Sequence, residues 1–203
     1  MRAPSNRTRR IVSLSAAPVA ILLAGAMVWQ GSSAAFTADT RNIGNSWETG
    51  SVAISDDDGG AAMFQITNVI PGQTGEKCIA VTATASVPSD IKLYAADLAA
   101  DGLDPYVKVQ IEQGTGGGFS TGCGGFTSES TPAVEASQPL AALGLHNSWA
   151  NAILPWSMLS AGTVTKSYKF DWVFDVSSLT QAQIDALQGH ATSINFEWEL
   201  QNR

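Results

Sequence analysis

The chain has 203 residues, 11 Lys and Arg against 18 Asp and Glu, and a formal net charge of −7. That length suits one domain with a proper core, and the acidic balance argues against a nucleic-acid binder, whose phosphate partner needs a basic surface. The two cysteines, Cys78 and Cys123, have neither CxxC spacing nor a histidine close by, which weakens a metal or redox reading.

Arg2, Arg7, Arg9 and Arg10 open the chain, an uncharged run follows from Ile11 to Trp29, and small residues Gly31-Ser32-Ser33-Ala34-Ala35 come next. Basic, apolar and small, in that order, is the secretory signal pattern. The run is long enough to be a retained anchor, but Pro18 and the small-residue exit favour cleavage near Ala34 or Ala35. Arg9-Arg10 invites a twin-arginine reading, though the rest of that motif is poor. Residues 1–34 are therefore expected to be a signal peptide, 35–203 a single secreted or cell-surface domain, and membrane contact limited to the signal segment. Without residues 1–34 the chain keeps 7 basic and all 18 acidic residues, a net charge of −11 that favours solubility. In an exported protein the two cysteines predict one disulfide, Cys78 to Cys123.

From Phe36 onward the pattern is all-β. Gly44-Asn45 signals a turn, and Val52 and Ile54 share one face of a short strand. Asp56-Asp57-Asp58-Gly59-Gly60 then breaks the chain; three adjacent aspartates suggest Ca²⁺, but a calcium loop spaces its ligands at alternate positions, and a solvated hairpin tip is the better reading. Phe64 to Tyr94 reads as three strands around two turns: one with Ala62, Phe64 and Ile66 on one face, the Pro71-Gly72 turn, one with Ile79, Val81 and Ala83 on one face, the break at Val87 to Asp90, and a third.

Asp97 to Gly102 reads as an acidic connection with room for one helical turn, and Val107, Val109 and Ile111 alternate cleanly with Lys108, Gln110 and Glu112. Gly114 to Gly125 lacks the Gly-Lys-Ser/Thr of a phosphate loop, and its Cys123 predicts a loop tied down by the disulfide. Residues 127–165 are least patterned, with a short helix expected around Leu140 to Leu145. Trp149 and Trp156 could form a sugar-stacking platform, but buried anchors for a long loop fit the average burial of tryptophan better. Tyr168, Phe170, Trp172, Phe174 and Val176 make one strand stripe, and Ile194, Phe196, Trp198 and Leu200 another. Thr180 to Gln188 reads as a helix, with a Thr180/Gln183 capping box and Gly189 at its end.

The catalytic inventory is thin. His146 and His190 lie in no metal or nucleophile motif, no Gly-x-Ser-x-Gly elbow supports a serine triad, and Glu197 and Glu199 are explained as the polar face of a strand as well as by any paired-carboxylate role. No catalytic, cofactor-binding or metal residue is assigned, and no cofactor is expected.

The order of motifs adds to this. Ala34-Ala35-Phe36-Thr37-Ala38-Asp39-Thr40, then Gly44-Asn45-Ser46-Trp47-Glu48-Thr49-Gly50-Ser51-Val52, resembles the start of the TasA and camelysin family of exported bacterial proteins. Asn68-Val69-Ile70-Pro71-Gly72 is similar to that family's Asn-Leu-x-Pro-Gly turn, Val87-Pro88-Ser89-Asp90-Ile91-Lys92-Leu93-Tyr94 to its Leu-Pro-Ala-Asp-x-x-Leu-Tyr segment, and Leu187-Gln188-Gly189 to its aromatic-Gln-Gly. The chain departs at Gln73, where the family has an acidic residue, at Ala161-Gly162 in place of Pro-Gly, and in its cysteine pair, which marks a subgroup.

The resemblance implies a jelly-roll-like antiparallel β-sandwich with one or two short helices in its loops. It also implies processing by a SipW-type signal peptidase and assembly into biofilm-matrix fibres, alone or with sibling matrix proteins. Some relatives are labelled metallopeptidases, a label for which this sequence carries no zinc motif. Physically, an extended segment freed by cleavage, Ala35 to Asn42 with Phe36, Thr37 and Asp39, could pair with a neighbour's sheet edge or serve as the first strand of its own sandwich. A glycan-binding or surface-binding module is the competing reading.

Overall fold

The computed structural model describes residues 49–129 and 134–203, with side chains from 136 onward in the second stretch. The signal segment, Ala34 and Ala35, and the donor candidates Phe36, Thr37 and Asp39 lie outside the described residues. The strands are β1 (Val52–Asp56), β2 (Thr74–Ala85), β3 (Ser89–Asp101), β4 (Val107–Thr115), β5 (Thr127–Ser128), β6 (Val134–Pro139), β7 (Ile153–Met158), β8 (Gly162–Phe174) and β9 (Ala191–Asn202). Helices α1 (Leu140–Leu143) and α2 (Gln181–Ala186) and a 3₁₀ turn at Trp149–Asn151 sit in connections. The expected all-β sandwich with two short helices is what the chain forms.

Every strand pair is antiparallel. One sheet has six strands in the order β1-β2-β8-β4-β5, with β6 also on β4, and the other has three in the order β7-β3-β9. β8 is the centre of the larger sheet. Its even-numbered residues point inward, so Tyr168 lies opposite Ile79 of β2 and Gln113 of β4, and Phe170 opposite Ile111. From the smaller sheet β9 sends Phe196 and Trp198 against them, with ring centroids 4.8 Å apart for Phe170 and Phe196 and 5.2 Å for Tyr168 and Trp198. Each such side chain taken from water stabilises the fold by about 1.5–3 kcal/mol, and this aromatic layer is the core.

The disulfide forms as predicted, Cys78 to Cys123, with Cα atoms 5.2 Å apart. Cys78 points to the outer face of the larger sheet yet is 0% exposed. The glycine-rich segment after β4 lies over it: Ser167 Oγ donates to the carbonyl of Gly117 at 3.1 Å, and the Lys77 ammonium sits 5.5 Å from the Phe119 ring centroid. Gly117 and Gly122 take φ of +74° and +72°, a conformation that side chains rarely adopt, and a Cβ on Gly116 would stand 2.3 Å from the Gly125 carbonyl. The glycines serve tight coiling, not phosphate.

Pro71-Gly72 turns the chain as expected, with Gly72 at φ +77° and Gln73 N–H donating to the Ile70 carbonyl at 3.0 Å. In α2 the Gln183 side chain reaches back to accept from Thr180 N–H at 2.9 Å, and Gly189 follows at φ +81°.

Three expectations need correction. The strand expected around Ala62, Phe64 and Ile66 is irregular chain, because both edges of β2 are already taken by β1 and β8. Asp97 to Gly102 is no helical turn: β3 runs through to Asp101 against β9, absorbing a bulge between Ala96 and Ala99 where Asp97 takes φ +50°. Asp56 to Asp58 is no free hairpin tip. Asp57 accepts from Ala80 N–H at 2.8 Å and from Phe119 N–H at 2.9 Å, so its carboxylate fastens the end of β1 to β2 and to the disulfide loop.

Candidate functional site

Among the described residues six strands of the larger sheet face three of the smaller. Among the described residues β9 pairs only with β3, and beside its other edge lies a cleft of about 1280 Å³. Its floor is the inner face of the larger sheet, with Ile79, Val109, Trp172 and Phe174. One wall is the edge of β9 from Ala191 to Trp198, and the facing wall is the irregular segment Gly60 to Val69. Ile184 on α2 and Leu187 just after it close one end.

The sequence places these walls for separate reasons. Ile194, Phe196 and Trp198 point inward because they occupy the apolar phase of an alternating strand. Met63, Phe64 and Val69 turn down onto the core, Phe64 reaching 6.3 Å from the Phe170 ring centroid. Ala62 to Val69 makes no backbone–backbone hydrogen bond to any described residue. Such backbone is stable only while water or an incoming partner satisfies its polar groups. Extended chain can add to an apolar floor between a strand edge and an irregular segment: edge groups supply hydrogen bonds, and the floor buries alternate side chains.

Other candidates from the sequence lie elsewhere. Trp156 is 8% exposed on β7 and donates its indole N–H to the Tyr168 hydroxyl at 2.9 Å, so it is a core anchor and unfit for stacking on a sugar. Trp149, in the 3₁₀ turn, is half-buried, with the Lys92 ammonium 4.4 Å from its ring centroid. The two tryptophans form no common platform.

His146 bonds the Asn151 carbonyl through Nδ1 at 2.7 Å, and His190 the Asp101 carbonyl at 2.7 Å, each tying a loop in place. Glu197 and Glu199 lie opposite Tyr94 and Lys92 of β3. Burial and hydrogen bonding to Glu197 push the Tyr94 phenol up to about 12, so these carboxylates converge on a phenol and do not flank a substrate gap. Partial burial and the neighbouring Asp58 raise the carboxyl of Asp56. Among the described residues no group of three or more His, Cys, Asp and Glu could hold a metal ion. No helix among them is long and apolar enough to cross a membrane.

The sequence pointed to sheet edges in general. The alternation of Ala62, Phe64 and Ile66 predicts a strand, so nothing in the sequence marks the cleft whose far wall that segment forms. No protein-family model matches the chain, and no curated protein matches it.

Proposed function

We propose that this chain is a structural protein of the cell surface or extracellular matrix that assembles with copies of itself, or with sibling proteins, by β-strand addition into the cleft beside β9. The observation that carries the reading is an apolar cleft floor beside an edge of β9 that no other described strand pairs with. Size agrees: the candidate segment Ala35 to Asn42 and the cleft-lining run Ala191 to Trp198 have equal residue counts, and each extends roughly 26 Å at strand rise.

Geometry favours a second copy as the donor. β1 begins with Val52 opposite Ala85, at the end of β2 away from Thr74 to Ile79, where the cleft lies. Thr49, the first described residue, therefore lies at the end of the sandwich remote from the cleft. A disulfide is compatible with an extracellular location, and cleavage by a signal peptidase near Ala34 or Ala35 would free the donor segment.

The test compares mature protein 35–203 with a version starting at residue 43, by electron microscopy and light scattering. Fibres from the first and monomers from the second, which then bind a synthetic peptide of residues 35–42, are expected. Monomers from both at high concentration would sink the idea.

A second reading, a glycan-binding module, draws on half-buried Trp149 beside Lys92. Glycan-array binding abolished by Trp149→Ala, with assembly intact, would favour it. Nothing in the described site favours the peptidase.

A further inference from the structure

Three reactive side chains meet inside the sandwich at the opposite ends of β8 and β4, and neither packing nor assembly accounts for their combination. Lys166 of β8 lies on the inward face opposite Val81 and is 17% exposed. Gln113 of β4 lies on the same face opposite Tyr168 and is 3% exposed. Just after β5, Glu129 joins them: its backbone N–H donates to the Gln113 carbonyl at 2.9 Å. Its carboxylate accepts from Gln113 Nε2 at 3.1 Å and from Lys166 Nζ at 2.5 Å on each oxygen. Both nitrogens bond the same Oε2, so the amine and the carboxamide stand within two hydrogen-bond lengths of each other. Gln113 Oε1 is buried without a partner. Around them stand fully buried Tyr168 and the Trp156 ring, its centroid 5.5 Å from Nζ.

An amine, a primary carboxamide and a carboxylate touching both are the components of an amide exchange. We propose that Lys166 and Gln113 become covalently joined by a cross-link between β8 and β4 that the protein forms on itself, with Glu129 as the proton carrier. The Nζ–Cδ bond forms and the Cδ–Nε2 bond breaks. Glu129 takes a proton from Nζ and delivers it to Nε2, and the nitrogen departs as ammonia. Nothing is oxidised or reduced, and no cofactor enters.

The strands supply the approach. Inward residues two apart on neighbouring strands are diagonal neighbours with Cβ atoms at roughly 7–8 Å or less, a gap that a lysine and a glutamine bridge together. Holding the reactants this way replaces a bimolecular encounter with an intramolecular one. Lys166 holds the Glu129 carboxyl below its usual range, so the resting state is the ion pair, and attack proceeds from the minor neutral pair formed when a proton passes from Nζ to the carboxylate. A slow step suffices, because each molecule reacts once.

The test is intact-protein mass spectrometry on the purified folded chain after reduction of the disulfide, with a peptide map. The expected result is a mass one ammonia below that of the sequence, and a branched peptide joining the segments that contain Lys166 and Gln113. Lys166→Arg, which keeps the charge against Glu129, and Glu129→Gln should show full mass with unchanged circular dichroism. Wild-type protein at full mass after prolonged incubation at neutral pH overturns the proposal, leaving a static ion pair. An ammonia loss that maps to an asparagine, as a succinimide gives, overturns it equally.

Discussion

Replacing both cysteines, Cys78→Ala with Cys123→Ala, isolates what the disulfide contributes. The bridge spans 45 residues of sequence, and closing a loop of that size lowers unfolded-chain entropy by an amount equivalent to about 4 kcal/mol in the chain-entropy model. Native geometry should survive the change, because the loop has other anchors. Phe119 N–H is held by Asp57, the Gly117 carbonyl by Ser167, and the Phe119 ring by Lys77. The loss should therefore come from the unfolded state. Urea denaturation of oxidised 35–203 against its double variant should show a deficit of about 4 kcal/mol, and thermal unfolding a midpoint lower by roughly 8–16 °C at the 2–4 °C per kcal/mol that suits this size. Limited proteolysis provides the control, since the segment from Gly114 to Gly125 should stay as resistant in the variant as in the parent. A deficit below about 1 kcal/mol, or cleavage appearing in that segment, refutes the division between a native loop held by Asp57 and an unfolded chain restrained by the bridge.

Phe170→Ala should cost about 3–5 kcal/mol in urea titrations, because the ring is fully buried and meets Phe64, Phe196 and Trp198. Tyr168→Phe should cost about 1–3 kcal/mol, the penalty for leaving a buried donor unpaired, since the Trp156 indole N–H loses its acceptor; Trp156→Phe added to it should cost less than the two single changes together. Asp90 should show acid-limb behaviour by carboxyl NMR. Hydrogen bonds from Arg203 and then Ser157 hold it at about 2, below the unfolded value of about 3.9. Its contribution is present above about pH 4 and disappears as pH falls through about 2. Arg203→Ala should move that titration up toward the ordinary value, and an Asp90 that already titrates there in the parent refutes the pairing.

What could be read from the sequence depended on whether the local signal also decided the partner. β4, β8 and β9 alternate over long runs with one face buried, so period alone fixes which side chains enter the core. The disulfide was legible because two cysteines in a chain expected to be exported leave one pairing, and α2 because its cap and stop residues are local chemistry. The segment Ala62 to Ile66 carried the same alternation and formed no strand. Alternation records an apolar face but says nothing of a free edge to pair with, and β2 had none. Asp57 read as solvated because nothing in sequence links it to Ala80 and Phe119. Lys166 fell on the inward phase of β8, one step outside the aromatic stripe. Nothing in the sequence links it to its partner Glu129, which lies in the least patterned region.

The far wall of the cleft hangs between two fastenings. At one end Asp57 is clamped to β2 and the disulfide loop, and at the other Gly72 and Gln73 exchange backbone hydrogen bonds with Phe174. Between them the chain has side chains in the core but no ladder. Amide protons there should trade with solvent at rates set by local opening, while their neighbours in β2 and β8 wait for global unfolding. That contrast makes the span from Asp58 to Pro71 a built-in reporter: slowing of its exchange alone would register the arrival of an occupant.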